Sequence, residues 1–408
     1  MSDAPIVAIF AMPEAGHFQR LRPLIADLAR RGARAHVYTD SGFRGAVESA
    51  GGTFEDLFAV HPLERADGES LPVPCRYVTF AGTYAEALAE ELTRLGASLI
   101  VYDTFAVIGH VVGRLLGIPY VSVCPGHRMV PAQHRATLEA DERVSISDAC
   151  RRAVETLRDR FGIGDASPFS YVTALSPILN LYCEPPTYLP ESERAAFEPL
   201  AFYGSLPAVE EIERRLDAPS RSPFDAGDDE LNVYVSLGTV VWRYWPERAL
   251  EALTTIAAAL ERRPGTRGLI SLGGARPEAR RLRRAGGSKV SVVDHLDQWR
   301  ALASADAFVT HQGLNSTHEA IFNLVPMVSY PFFADQPALA ETCQRHGIAV
   351  PLVDSPRGGF GEEAVFRALD ALLTDPALVR ERLIEARGWE LEVIASRGPV
   401  VERILALA

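Results

Sequence analysis

The sequence is nearly without lysine: among 41 basic residues, Lys289 is the one that is not arginine. Lysine Schiff-base chemistry therefore has a single candidate, and Lys289 sits in a polar Gly-Gly-Ser-Lys turn unsuited to a desolvated amine. A phosphate loop ending in Gly-Lys-Ser/Thr is absent as well. Cations are outnumbered, 41 against 53 acidic residues, which leaves a net charge of −12. Nucleic-acid binders cluster cations to neutralise phosphates, so no nucleic-acid partner is expected. The arginine run from Arg280 to Arg284 reads as a solvated helix face. Cysteines are few and unpaired in pattern: Cys75, Cys124, Cys150, Cys183 and Cys343 are odd in number, with no C-x-x-C, which suggests neither a zinc site nor a disulfide framework. No H-E-x-x-H occurs, since Glu319 is followed by Ala-Ile-Phe, and no G-x-G-x-x-G follows the first apolar run, which disfavours a nicotinamide dehydrogenase. No segment approaches the length of a membrane span. The run Ile6–Met12, preceded by Asp3 rather than basic residues, is too short for a secretory signal. A cytoplasmic location is expected.

What is present is enough apolar material for two cores: 408 residues at 47% hydrophobic content. Strand and helix patterns alternate, as in an α/β fold with doubly wound parallel sheets. Expected elements are a strand Ile6–Met12, a helix Leu21–Arg31 ended by Gly32, a strand Ala35–Thr39, and a helix around Tyr84–Leu95. A strand Leu99–Tyr102, a helix Val107–Leu116 and a strand Tyr120–Cys124 follow, with His61–Cys75 and Glu184–Pro190 read as loops. A charged helix then leads into Asp217–Glu230, rich in Pro, Ser, Gly and Asp, the best linker candidate. Alternation restarts at Val233 and continues through Gly268–Leu272 and Val290–Val293. Expected boundaries are a first domain 1–216, a linker 217–230, a second domain 231–377, and C-terminal helices 378–408 interrupted near Gly388 and at Gly398-Pro399.

The chemistry concentrates between Phe308 and Gln336, FVTHQGLNSTHEAIFNLVPMVSYPFFADQ. An apolar run ends in Thr310, and a polar loop with His311, Gly313, Asn315 and Ser316 opens a helix carrying Ala320, Ile321 and Leu324 on one side. Strand, loop and helix start form an anion cradle, where backbone N–H groups and the positive end of the helix dipole face a ligand. Val325–Phe333 reads as another buried strand, with Asp335 and Gln336 at its carboxyl end, the edge where open parallel sheets hold ligands. Each residue taken singly also fits a local role. Ser316 with Glu319 matches a capping box, and Asp335 before Gln336-Pro337 matches a helix cap.

Taken together, the string resembles the donor-binding signature of the family-one glycosyltransferases, W-x-P-Q, then H-C-G-W-N-S-x-x-E, then D-Q. Here it reads His295-Leu-Asp297-Gln298, His311-Gln-Gly-Leu-Asn-Ser-Thr-His-Glu319 and Asp335-Gln336. The resemblance implies that His311, Gly313, Asn315 and Ser316 hold the diphosphate, Glu319 the ribose, and Asp335 and Gln336 the sugar. His295 stands in place of the tryptophan that stacks on the nucleobase and Asp297 in place of a proline, and Gln298 completes this donor-binding segment. Leu314 replaces the second tryptophan, as in some bacterial relatives. The turn Ser236–Thr239 resembles a second phosphate contact through Thr239 and equally fits an ordinary strand-to-helix turn.

Sugar transfer to a hydroxyl needs a base, and a histidine oriented by a carboxylate is a common solution. His17 follows the first strand in a Pro-Glu-Ala-Gly-His loop, and Asp103 follows the strand Leu99–Tyr102, so a parallel sheet brings both to the same carboxyl edge. Either alone also fits a turn residue or a cap. In the resembled family the base lies in a Gly-His loop after the first strand and its partner in V-x-D-x-F, matched by Gly16-His17 and Val101–Phe105. The resemblance implies the GT-B arrangement, two Rossmann-like domains facing a central cleft, with the acceptor on the first, the donor on the second, and the C-terminal helices packing back on the first.

The expected function is inverting transfer of a sugar, UDP-hexose favoured and dTDP-deoxysugar possible, to a hydroxyl of a small lipophilic natural product such as a polyketide or macrolide, as in antibiotic biosynthesis. Phe18, Tyr77, Phe80, Tyr84 and His127 are candidates for an acceptor pocket, and the aromatic ones fit a core as well. His110 and His318 read as helix-surface residues. No cofactor and no essential metal are expected, because a helix terminus meets the diphosphate. The oligomeric state stays open. Two rival readings are a nucleotide-sugar epimerase on the same fold and a non-catalytic helper that binds a nucleotide sugar.

Overall fold

The computed structural model describes residues 4–63, 74–124, 126–217, 222–224, 230–274, 282 and 287–408. The Arg280–Arg284 run apart from Leu282, and parts of the expected linker and of the His61–Cys75 loop, lie outside the described residues. The chain divides into two compact units, Met1–Pro207 with Val393–Ala408, and Ala208–Glu392.

The first unit is built on a parallel sheet of β1 (Ile6–Phe10), β2 (Arg34–Thr39), β3 (Thr53–Asp56), β4 (Leu99–Asp103), β5 (Tyr120–Val123), β6 (Asn180–Tyr182) and β7 (Leu200–Phe202). Their order is β3-β2-β1-β4-β5-β6-β7. Side chains alternate across a strand, so Val7 and Ile9 join one core with Leu21, Leu24 and Leu28 of the helix Ala15–Arg30. Ala8 and Phe10 join another, under the helices Arg76–Leu95 and Val107–Leu116. Covering both faces is why β1 and β4 read as unbroken apolar runs.

The helix expected from Leu21 starts six residues earlier, at Ala15. The Glu14 carbonyl accepts the N–H groups of His17 and Phe18, which draws His17 out of the expected loop and into the first turn. The helix expected around Tyr84 likewise begins at Arg76.

The second unit carries β8 (Leu231–Ser236), β9 (Thr266–Ser271), β10 (Val290–Val293), β11 (Ala307–Thr310), β12 (Met327–Ser329) and β13 (Ala349–Pro351). These are also parallel, in the order β10-β9-β8-β11-β12-β13. The strand expected over Val325–Phe333 shrinks to β12, because Pro326 and Pro331 have no N–H to give a ladder. The charged helix Val209–Asp217, expected in the first domain, belongs to the second unit, where Arg215 pairs with Asp297 at 2.8 and 3.0 Å.

The helix Pro376–Ala395 runs straight through Gly388, where an interruption was expected. One interior glycine costs only about 1 kcal/mol, and Leu383, Ala386 and Val393 of this helix are buried. Gly398 and Pro399 fall in the first turn of the next helix, Arg397–Leu405, where a missing N–H has no helical partner to lose. Val401 and Ile404 of that helix sit in the same core as Val7 and Ile9. Buried Arg397 donates to the carbonyls of Tyr203 (2.6 Å) and Leu206 (2.7 Å). Among the described residues no helix is long and apolar enough to cross a membrane.

Candidate active site

Each sheet reverses its strand order once, between β1 and β4 in the first unit and between β8 and β11 in the second. Loops leaving the carboxyl ends on either side of such a reversal diverge and leave a crevice, where open α/β sheets bind ligands. His17 and Asp103 lie at the first of these points, and Thr239 and the His311–Ser316 loop at the second.

In the first unit His17 follows β1 and Asp103 is the last residue of β4. The His17 Nδ1 lies 2.9 Å from both carboxylate oxygens of Asp103. Asp103 is fully buried and also accepts the Phe105 N–H at 2.8 Å. Burial pushes its carboxyl up, but the His17 imidazole, the nearby Arg20 guanidinium and the Phe105 N–H outweigh that and hold it below the usual carboxylate range. An ionised Asp103 requires Nδ1 to donate, which leaves Nε2 with the lone pair that a general base needs. The Phe105 ring, 4.0 Å between centroids, backs the imidazole. The Tyr77 ring lies 5.7 Å from that of Phe105, and Glu14 accepts from Tyr77 Oη at 2.6 Å and from Arg76 at 3.0 Å.

In the second unit the turn after β8 and the loop after β11 pack together. A Cβ on Gly238 would stand 2.6 Å from His311 Nε2, and one on Gly313 closer still, so the imidazole lies against both glycine backbones. Burial pushes His311 down to about 4, opposed by its hydrogen bond to the Ser236 carbonyl, and an anion bound at the loop would draw it back up. The His311 Nδ1 is buried with no hydrogen-bond partner. Helix Leu314–Phe322 has Gly313 as its N-cap and no side chain capping it, so its first N–H groups have no partner within the helix. Thr239 lies exposed in the turn after β8. Together these form a cradle of donors for an anion.

Ser316 and Glu319 do not form the capping box their spacing permits. Gln298 Nε2 instead donates to Glu319 at 2.7 Å and to Ser316 at 3.1 Å. Burial raises the Glu319 carboxyl to about 7, with Gln298, Arg215 and Trp299 drawing it back. Asp297, in place of the signature proline, caps the helix Gln298–Leu302 through the Trp299 N–H at 3.1 Å and pairs with Arg215. Its role is structural and explains the departure. His295 is exposed in the loop before that helix.

Asp335 is the N-cap residue of the helix Gln336–Arg345 but makes no capping hydrogen bond with its side chain. Gln336 turns its carbonyl oxygen back to the N–H groups of Phe332 (2.8 Å) and Phe333 (3.3 Å), leaving its amide NH₂ as the group able to donate to a ligand.

One positioning residue was not legible beforehand. Buried Gln312, at φ 62°, accepts from Ser329 at 2.6 Å and donates to Thr317 at 3.0 Å, pinning the loop between His311 and Gly313.

Residues 224–383 match the family model described as UDP-glucoronosyl and UDP-glucosyl transferase. The match covers most of the second unit, and the chain has the GT-B glycosyltransferase fold. It is 21% identical over 343 residues to the uncharacterized UDP-glucosyltransferase YdhE of Bacillus subtilis, covering 82% of each chain. It is 24% identical over 380 residues to the zeaxanthin glucosyltransferase of Pantoea ananas, covering 84% of this chain and 83% of that one. The solved glycotransferase of kitacinnamycin superposes with a TM-score of 0.74 over 100% of both chains at 22% identity.

The expected acceptor residues of the transferase are scattered. Phe18 is fully buried and stacks on Phe43 at 4.4 Å, in the core with Val7 and Ile9, so it lines no pocket. Phe80, Tyr84 and Phe58 pack together on the other face, with centroids 5.0 and 5.6 Å apart, and of the three Phe80 is buried. His127 is buried, its Nδ1 2.9 Å from Glu184. His110 and His318 are not surface residues. Burial pushes His110 down to about 4, beside Tyr102 Oη at 3.4 Å, and His318 forms a fully buried pair with Glu390 at 2.6 Å.

Proposed function

We propose that this glycosyltransferase moves a hexose from a uridine diphosphate sugar, with thymidine diphosphate deoxysugars as the second donor class, to a hydroxyl of a small lipophilic natural product. The observation carrying the reading is the His17–Asp103 pair, which supports His17 Nε2 as the base. His17 takes the acceptor proton, Asp103 stabilises the imidazolium, and the acceptor oxygen displaces the diphosphate from C1 in one step, so configuration inverts. His311, Gly313, Asn315, Ser316 and Thr239 hold the diphosphate, Glu319 and Gln298 the ribose, His295 the base, and Asp335 and Gln336 the sugar. No metal is needed, because the helix start at Leu314 and the His311 imidazole meet the diphosphate charge. Relatives named for zeaxanthin and kitacinnamycin support the lipophilic acceptor class.

The test is calorimetric titration with UDP, dTDP, GDP and their sugars, with chelator and then with magnesium, followed by mass spectrometry of products from a panel of hydroxylated acceptors. Binding of UDP or dTDP in chelator is expected, and NMR of the product should show an inverted anomeric centre. Failure of every nucleotide to bind would remove the donor assignment. A retained configuration would remove the single displacement.

A further inference from the structure

The loop between β12 and the helix Gln336–Arg345 is held in a conformation it would not adopt alone. Ala334 lies at φ 54°, and Arg357, which packs on the loop, lies at φ 60°. A residue other than glycine in this region costs on the order of 1 kcal/mol and persists only where its surroundings fix it. From one side Gln336 accepts the N–H groups of Phe332 and Phe333. From the other, Arg357 donates its backbone N–H to the Pro331 carbonyl at 3.0 Å and its guanidinium to the Phe332 carbonyl. The same guanidinium lies over the Trp245 ring, 4.8 Å from its centre. Trp245 in turn packs on Phe333 at 4.8 Å and follows the short helix Val241–Tyr244, which begins directly after the Gly238–Thr239 turn. Contacts thus run from the segment just after the phosphate turn, where Tyr244 and Trp245 pack on Phe333, to the loop ahead of Asp335, and Arg248 extends them by donating to Tyr330 Oη at 2.8 Å and to the Gly358 carbonyl.

We propose that Trp245 and Arg357 are positioning residues that brace the loop Pro331–Asp335 against the phosphate turn and so set where the donor sugar sits relative to its diphosphate. This rests on the assignment of Asp335 and Gln336 to the sugar. Neither residue belongs to the His311 cradle or to the Gln298–Glu319 pair, so the brace acts on the sugar and not on the nucleotide. Arginine suits the place because one planar group both donates to a carbonyl and stacks on indole, which an ammonium does less well.

The experiment compares wild type with Arg357→Met, Arg357→Lys and Trp245→Phe, each first checked by thermal melting. Hydrogen exchange of residues 331–336 is measured in the unliganded protein, and free UDP affinity and the KM for UDP-glucose are measured alongside. Arg357→Met should speed exchange at the Phe332 and Phe333 amides and raise the KM for UDP-glucose roughly ten- to hundred-fold, the range for losing a charge-assisted hydrogen bond. Free UDP should bind within about twofold of wild type, and Arg357→Lys and Trp245→Phe should fall between the extremes. Unchanged loop exchange in both Arg357→Met and Trp245→Phe would overturn the brace. Equal losses of UDP and UDP-glucose affinity would overturn its selectivity for the sugar. If wild type bound no UDP-glucose, the functional reading would fail, while loop exchange would still decide whether the brace exists.

Discussion

Replacing Asp103 by asparagine changes one atom and should stop the base from working. One carboxylate oxygen of Asp103 accepts the Phe105 N–H at 2.8 Å, and both lie 2.9 Å from His17 Nδ1. The backbone N–H can only donate, so the asparagine oxygen must stay with Phe105 and its NH₂ must face His17. Two donors then meet at Nδ1. Either the imidazole swings away, or Nδ1 gives up its proton and Nε2 becomes the protonated nitrogen, unable to take a proton from an acceptor. Loss of a general base lowers turnover by about two to four orders of magnitude, or about 3–5 kcal/mol in barrier. The assay is the initial rate of glycoside formation at saturating donor and acceptor, with donor affinity measured separately and expected to be unchanged. Because the two residues act as one unit, His17→Ala and the His17→Ala/Asp103→Asn double variant should be about equally slow. Turnover of Asp103→Asn within about threefold of wild type, with melting intact, would refute the tautomer argument.

Gly313→Ala places a methyl group against the His311 imidazole without backbone strain, since φ there is −68°, and should weaken UDP binding by roughly tenfold in calorimetry. An unchanged affinity would mean that His311 does not contact the diphosphate. Glu319, raised to about 7 by burial from an ordinary value near 4.5, binds its proton more tightly folded than unfolded. Its contribution to stability is therefore full below pH 4.5 and lost as pH rises through 7, a penalty on the order of 3 kcal/mol at pH 8. Glu319→Gln should accordingly melt higher than wild type at pH 8 and converge with it near pH 5, and a gain equal at both pH values would show that ionisation is not the cause. His318→Ala leaves the Glu390 carboxylate buried without its partner and should cost about 3–5 kcal/mol in denaturant unfolding, whereas His318→Leu with Glu390→Leu should recover much of it. A loss below about 1 kcal/mol for the single variant would show that water reaches the pair.

The alternation of strands was legible because parallel strands covered on both faces are written as apolar runs, and β1, β4 and β11 carry such runs. The short strands β3, β6 and β13, of three or four residues, were not, since their pairing comes from neighbours and not from their own pattern. His17 and Asp103 could be placed together because both follow strands of one sheet. Partners distant in sequence could not: Glu390 lies 72 residues beyond His318, and its burial reverses a reading made from the helix alone. Asp297 looked like an altered signature position until Arg215 and the Trp299 N–H showed what it holds. Gln312 gave no signal, because nothing in sequence marks a buried amide in a left-handed backbone.

Residues 393–408 belong to the first unit although the whole of the second lies between them and Pro207. During synthesis the second unit, continuous from Ala208 to Glu392, has all its residues before the first has its own. The segment that completes the first core, with Val401, Ile404 and the Arg397 clamp on Tyr203, emerges later still. Chimeras that exchange acceptor-side and donor-side halves between relatives must therefore be cut twice, near 207 and near 392, so that the returning segment travels with the core it fills.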